Sequence, residues 1–126
     1  MSSYLAYQKN QPASEGLDLI RFSGFRCKPD GFCLAMNQAD QLWGKDDVVT
    51  KDKITINVVF NGRNYHQEEI TSDNGLTRKE LLVHIVALYE EHLNEMNYHY
   101  FRNEYYISGV NYNVNTQNYY PVVETF

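Results

Sequence analysis

The residues that could act as catalysts or metal ligands lack the spacing that such chemistry needs. His84 and His92 are eight positions apart on a predicted helix, whereas a helical zinc site uses H-E-x-x-H, with its histidines four apart. Neighbouring carboxylates such as Glu68 and Glu69 point in opposite directions along a strand and do not converge. No serine lies in a G-x-S-x-G turn. We therefore predict no catalytic residue, no metal and no cofactor; an enzyme whose chemistry leaves no local motif is the alternative.

Two cysteines, Cys27 and Cys33, flank the turn-forming sequence Pro-Asp-Gly at 29–31. They face each other if those three residues form the loop of a hairpin. A redox pair or half of a zinc site is the alternative to two reduced thiols, and zinc would need two further ligands. So few cysteines, with no apolar signal segment in the first 15 residues, predict reduced thiols and a cytoplasmic protein.

The charge of the chain is unevenly distributed. The net charge is −5 over 126 residues, yet residues 1–63 carry eight Lys/Arg against seven Asp/Glu, and residues 64–126 carry three against nine. Scattered basic residues and an acidic second half disfavour nucleic acids and anionic membranes as partners. No apolar run approaches the ~20 residues that span a membrane. A basic protein partner would instead be attracted.

The composition is unusual in its 11 tyrosines and 13 asparagines, which crowd the sequence after residue 96. Tyrosine supplies rigid contact area at low entropic cost and asparagine supplies adaptable hydrogen bonds, as in recognition surfaces. Only one of two adjacent tyrosines in a strand faces the core, so one of each pair at 105–106 and 119–120 is expected to be exposed. Because tyrosine favours strands in general, purely structural roles are the alternative. The predicted partner-binding residues are Tyr105, Tyr106, Tyr112, Tyr119 and Tyr120.

A pocket for a small ligand, such as a nucleotide or a sugar, is the alternative function. Such a pocket would lie between the sheet and the loop 37–52. An aromatic side chain would stack on the ligand, and arginines would hold an anionic group. The residues predicted for this site are Trp43, Arg21, Arg63 and Arg102.

The clearest secondary-structure signals lie in the middle of the chain. Apolar and polar residues alternate over 53–60, Asn-Gly follows at 61–62, and 63–70 is a polar return strand, so these residues predict a hairpin. Thr77 and Glu80 fit a capping box, and apolar residues at helical spacing extend a helix to about residue 96. The register of the hairpin stays open, with either Tyr65 opposite Val58 or Ile70 opposite Ile54.

These elements predict a single α+β domain over residues 17–126, preceded by a flexible polar tail at 1–16. Its antiparallel or mixed sheet would contain about six strands packed on one long helix, at about 77–96. From Lys53 to Glu124 the order is hairpin, helix, strand and strand, which resembles the β-grasp arrangement of ubiquitin-like domains. That resemblance implies a helix lying across the sheet.

The sequence as a whole favours a small non-enzymatic intracellular protein-interaction module that binds through a Tyr/Asn-rich C-terminal face. A compact acidic domain without a catalytic signature also suits a phage or viral inhibitor of a host protein. A homodimer, formed by pairing an exposed edge strand across a two-fold axis, is the self-association alternative.

Overall fold

The computed structural model describes residues 17–22, 26–27, 39–60, 62–92 and 105–125, with the backbone alone at 26–27, 105–106 and 124–125. The predicted tail at 1–16 lies outside these residues, as do Cys33 and the side chain of Cys27. The elements are β1 (Leu17–Arg21), β2 (Arg26–Cys27), β3 (Lys53–Phe60), β4 (Arg63–Thr71), α1 (Arg78–Glu91), β5 (Tyr105–Asn113) and β6 (Asn118–Thr125).

The hairpin of β3 and β4 follows from the alternating pattern of the sequence. The even-numbered side chains of β3, from Ile54 to Phe60, are buried in one apolar cluster with the helix. Gly62 in the connecting turn has φ +76°, a conformation that favours glycine. Ile54 pairs with Ile70, and a bulge beside Val58 leaves Tyr65 without a partner on β3. The register is therefore the one that places Ile70 opposite Ile54.

The strands form a mixed sheet in the order β1-β5-β6-β3-β4, with β2 also paired to β5. β3 and β6 run parallel, and the other pairs run antiparallel. The hairpin thus joins the C-terminal strands through the parallel pair at the centre of the sheet. The prediction of an α+β fold with a mixed sheet and a helix is confirmed.

The helix α1 begins at the predicted capping box. Thr77 Oγ1 accepts a hydrogen bond from the backbone N–H of Glu80, and Glu80 Oε1 accepts one from the N–H of Thr77 at 2.9 Å. These bonds hold the pKa of Glu80 below its ordinary value, the backbone N–H of Thr77 having the largest effect. α1 has 14 residues and ends at Glu91, where His92 leaves the helical conformation. The predicted extension to residue 96 was therefore too long.

A tyrosine fixes the helix to the centre of the sheet. β3 and β6 pair only at Thr55 with Asn118 and at Ile56 with Tyr119. Beyond that point, the hydroxyl of Tyr89 donates to the carbonyl of Val59 at 2.7 Å and accepts from its N–H at 3.1 Å. Tyr89 is fully buried. The phenol thus provides hydrogen-bond partners for the N–H and C=O of Val59, which lie beyond the part of β3 that pairs with β6.

The face of the sheet opposite α1 carries a network of side-chain amides centred on Asn57. Asn57 is buried, and its Oδ1 accepts from Gln67 Nε2 at 2.7 Å and from Asn64 Nδ2 at 3.1 Å. Its Nδ2 donates to the carbonyl of Tyr119 at 3.1 Å and to Asn118 Oδ1 at 3.4 Å. Every donor and acceptor of this amide is used, so burial carries little penalty.

No helix in the described parts of the chain is long and apolar enough to cross a membrane.

Candidate binding site

Residues 42–51, which we call the anchored loop, are bound to the start of α1 by backbone hydrogen bonds. The N–H of Arg78 donates to the carbonyl of Asp47 at 2.9 Å, and the N–H of Lys79 donates to that of Lys45 at 3.1 Å. The first N–H groups of a helix have no partner within the helix. The anchored loop supplies these partners, so it is fixed relative to α1.

The end of the anchored loop is held to the segment that precedes α1. The N–H of Val49 donates to the carbonyl of Leu76 at 2.9 Å, and the N–H of Leu76 donates to Thr50 Oγ1 at 2.8 Å. A Cβ atom at Gly75 would lie 2.2 Å from the carbonyl oxygen of Thr50, and Gly75 has φ +83°. This close approach therefore requires glycine.

Exposed apolar side chains gather on this loop and on the turn between β5 and β6. Among the described residues, the large hydrophobic side chains with the greatest exposure are Trp43 at 75%, Val48 at 58% and Val114 at 40%. Trp43 and Val48 belong to the anchored loop, and Val114 follows directly after β5. Exposed apolar groups that share one region of a surface mark a contact site more strongly than scattered ones.

A cleft of about 310 Å³ separates the anchored loop from the β5–β6 turn. Val48 to Lys51 line one side of it, and Tyr112, Val114, Gln117 and Tyr119 line the other. The volume is at the small end of the range of roughly 300–1,000 Å³ for ligand sites. The cleft thus has room for a short apolar group of a partner or for a small molecule.

Two stacked tyrosines lie at this cleft. The rings of Tyr112 and Tyr119 are 4.8 Å apart and inclined by 11°. The hydroxyl of Tyr112 donates to Asp18 Oδ2 at 3.1 Å, and that of Tyr119 donates to Gln117 Oε1 at 3.4 Å. Burial raises the pKa of both phenols, and the hydrogen bond to Asp18 raises that of Tyr112 further. Both hydroxyls therefore stay protonated at neutral pH and provide no general base.

The side chain of Trp43 is exposed, but one side of its ring contacts Arg78. The guanidinium carbon of Arg78 lies 5.2 Å from the centre of the indole ring, within cation–π range. Arg78 Nη1 in turn donates to the carbonyl of Gly44 at 3.0 Å and contacts Asp47 Oδ2 at 3.4 Å. The Arg78 side chain is only 14% exposed. A mostly buried arginine thus supports one side of an exposed tryptophan.

The predicted partner-binding tyrosines occupy three different environments. Tyr112 is half-buried at the cleft, whereas Tyr120 is half-buried in β6 on the face opposite α1, where it pairs with Asn111. Tyr119 is fully buried because its register with Ile56 places it on the helix side of the sheet. Tyr119 was therefore wrongly expected to be available for direct contact. The side chains of Tyr105 and Tyr106 lie outside the described residues.

The predicted ligand-binding residues do not converge on the cleft. The cleft does lie between the sheet and part of the loop 37–52, but neither Trp43, Arg21 nor Arg63 lines it. Arg21 is exposed in β1, and Arg63 is exposed in β4 with its guanidinium carbon 4.9 Å from the centre of the Tyr65 ring. Arg102 lies outside the described residues.

Sequence reasoning missed Val48 and Val114. Val48 is one of two adjacent valines in a polar stretch, and Val114 is a single valine among polar residues; the exposure of one aliphatic residue leaves no pattern in the sequence. Within the described ranges, no three or more His, Cys, Asp and Glu side chains are grouped as a metal site would require. No protein-family model, curated protein or solved structure matches the chain.

Proposed function

We propose that this protein is a non-enzymatic protein-interaction module that binds its partner with the anchored loop and the β5–β6 turn. The observation that carries the proposal is the exposure of Val48 and Val114 on opposite sides of one cleft, with the exposed Trp43 on the same loop as Val48. Tryptophan is enriched among the residues that dominate binding energy at interfaces. The site includes one predicted partner-binding residue, Tyr112, and so keeps part of the predicted C-terminal face.

The backbone bonds of the anchored loop support this function energetically. Ordering a loop upon binding costs free energy that subtracts from affinity. Here the hydrogen bonds from Val49, Arg78 and Lys79 fix the loop before any partner arrives. The partner would therefore meet an apolar surface whose geometry is already set.

Replacing Trp43 by Ala tests the proposal. The immobilised protein is used to capture a partner from a lysate of the source cells, and the purified partner is then titrated against each variant. We expect Trp43→Ala to weaken binding by about 2 kcal/mol or more, as for a central interface tryptophan. His84→Ala is the control, because His84 is exposed on α1. Equal affinities of the two variants would contradict the proposed surface.

A small-ligand site is the second candidate function, and the volume of the cleft, about 310 Å³, favours it. Tyr112, which stacks on the buried Tyr119, offers aromatic surface, and Lys51 adds a cation that forms no ion pair with a described residue. A thermal-shift screen with nucleotides and oligosaccharides tests this function. A saturating shift that disappears in Val114→Trp, which fills the cleft, would support it over a protein partner.

We propose further that residues 53–125 form a β-grasp-like unit inside an intracellular protein. The order of hairpin, helix and two strands, with β3 and β6 parallel at the centre, supports the fold assignment. The presence of only two cysteines supports the compartment. A role as a phage or viral inhibitor remains a prediction from composition alone.

A further inference from the structure

The strand β4 forms one edge of the sheet as described, and its side chains are largely exposed. β4 has nine residues and is the last strand in the sheet order, next to β3 only. Gln67, Glu68, Glu69 and Thr71 are exposed. None of the residues of β4 lines the cleft, so this edge is a separate surface from the proposed binding site.

The hydrogen bonds of neighbouring residues show which backbone groups of β4 point away from the sheet. The N–H of Thr55 donates to the carbonyl of Gln117. The backbone N–H and C=O groups of odd-numbered residues of β3 therefore point towards β6, and those of even-numbered residues point towards β4. The N–H of Ser72 donates to the carbonyl of Asp52, which continues the same pattern. In β4 the even-numbered residues therefore direct their N–H and C=O groups towards β3. The odd-numbered residues Gln67, Glu69 and Thr71 direct theirs away from the sheet.

The bulge at Tyr65 limits the usable edge to residues 66–71. Tyr65 has no partner on β3, so the regular alternation of outward backbone groups ends there. Residues 66–71 still match the usual length of a strand in a sheet. An incoming strand would find alternating donors and acceptors along this length.

The charges on this edge are acidic on both faces of the sheet. Glu68 shares the helix side with Ile56, and it forms no ion pair with a described residue. Glu69 lies on the opposite face, where its carboxylate is 3.6 Å from Lys53 Nζ in an exposed pair. A strand laid against β4 would therefore meet a carboxylate on each face at consecutive positions.

We propose that β4 binds an extended basic segment of a partner protein as an additional strand, with Lys or Arg side chains opposite Glu68 and Glu69. Main-chain hydrogen bonds to Gln67, Glu69 and Thr71 hold the segment, and the two carboxylates select its charge. The acidic net charge of the chain attracts the same segment at long range.

The same carboxylates disfavour a second copy of this chain as the occupant. In a symmetric antiparallel pair, the two-fold axis lies between one residue and its own copy. Two copies of residues 66–71 pair the most residues when that residue is Glu68 or Glu69. The first register places Glu68 opposite its own copy, and the second does the same for Glu69. Like charges directly opposite each other destabilise a strand pair. The carboxylates that attract a basic strand therefore also disfavour pairing of β4 with a second copy of itself.

The test uses a synthetic peptide of about eight residues, with two adjacent Lys/Arg residues between Thr and Val, and a counterpart with Glu at those two positions. Fluorescence anisotropy measures binding to the full chain, and hydrogen exchange measures protection of single amides. We expect the basic peptide alone to bind, more weakly as salt increases. We also expect new protection at the amides of Gln67, Glu69 and Thr71.

Two variants separate the contributions of charge and backbone. Reversing Glu68 and Glu69 together to Lys should weaken binding by about tenfold, whereas Glu91→Lys, an exposed reversal on α1, should leave affinity within twofold or so. Thr71→Pro removes one outward donor and should weaken binding by about fivefold, the loss of one intermolecular hydrogen bond. Circular dichroism checks that each variant folds.

Several results would overturn the inference and leave the cleft proposal intact. They are absence of binding by the basic peptide, equal binding of both peptides, protection elsewhere than at β4, and a dimer of the chain that protects these amides without peptide. Trp43→Ala should bind the peptide as well as the wild type does, so failure at one surface is distinguishable from failure at the other.

Discussion

Replacing Thr50 by Val tests how firmly the anchored loop is held, because the change removes a hydroxyl and keeps the shape of the side chain. Thr50 Oγ1 accepts from the N–H of Leu76 and donates to the carbonyl of Lys51, both at 2.8 Å. Leu76 is buried, so its amide would lose its partner without gaining water. An unsatisfied buried donor costs about 1–3 kcal/mol. We expect the free energy of unfolding to fall by that amount, a substantial part of the usual 5–15 kcal/mol.

Urea denaturation followed by circular dichroism measures this loss. Thr71→Val is the matched control, since Thr71 is exposed in β4, and it should change stability by less than about 0.5 kcal/mol. Amide exchange should show faster opening at Val49 and Leu76 in Thr50→Val alone. The looser loop should also bind a partner less tightly, because ordering it then costs free energy. Equal stability of the two variants, or unchanged exchange at Leu76, would refute the view that the loop is fixed through this hydroxyl.

Two further predictions concern the helix. Tyr89→Phe should lower the free energy of unfolding by about 2–4 kcal/mol, because the N–H and C=O of the half-buried Val59 both lose a partner. An effect below that of Tyr112→Phe in urea titrations would contradict this. The folded-state pKa of Glu80 is lowered by its bonds to Thr77, so its stabilising effect is present above the ordinary pKa of 4.5 and is lost as the pH falls through the folded-state value. Glu80→Gln should therefore flatten the dependence of stability on pH in that acidic range, and an unchanged profile would count against the capping box.

The parts of the fold that the sequence predicted are those set by local chemistry. The alternation over 53–60 predicted β3 and its buried face. Thr77 and Glu80, three positions apart, predicted the start of α1. These signals lie within one element and depend on side-chain direction or on a single capping interaction. The end of α1 lacked such a signal, because apolar residues continue at helical spacing past Glu91.

The parts that were missed depend on which strands meet. The burial of Tyr119 follows from the pairing of β6 with both β3 and β5, which no local pattern of residues 118–125 reveals. The position of Val48 and Val114 at one cleft depends on how segments far apart in the chain are brought together by the fold. Sequence analysis identified Tyr112 and Trp43 as candidates for contact and assigned Trp43 to the loop 37–52, but it could not place Tyr112 at the cleft.

Hydrogen exchange on the complex with a captured partner tests the proposed function most directly. Amides of the anchored loop and of the turn at 113–117 should become protected when the partner binds, while the exchange of the α1 amides around His84 should not change. Protection confined to α1, or to the β1 edge of the sheet, with none at residues 42–51 and 113–117, would contradict the proposed binding surface.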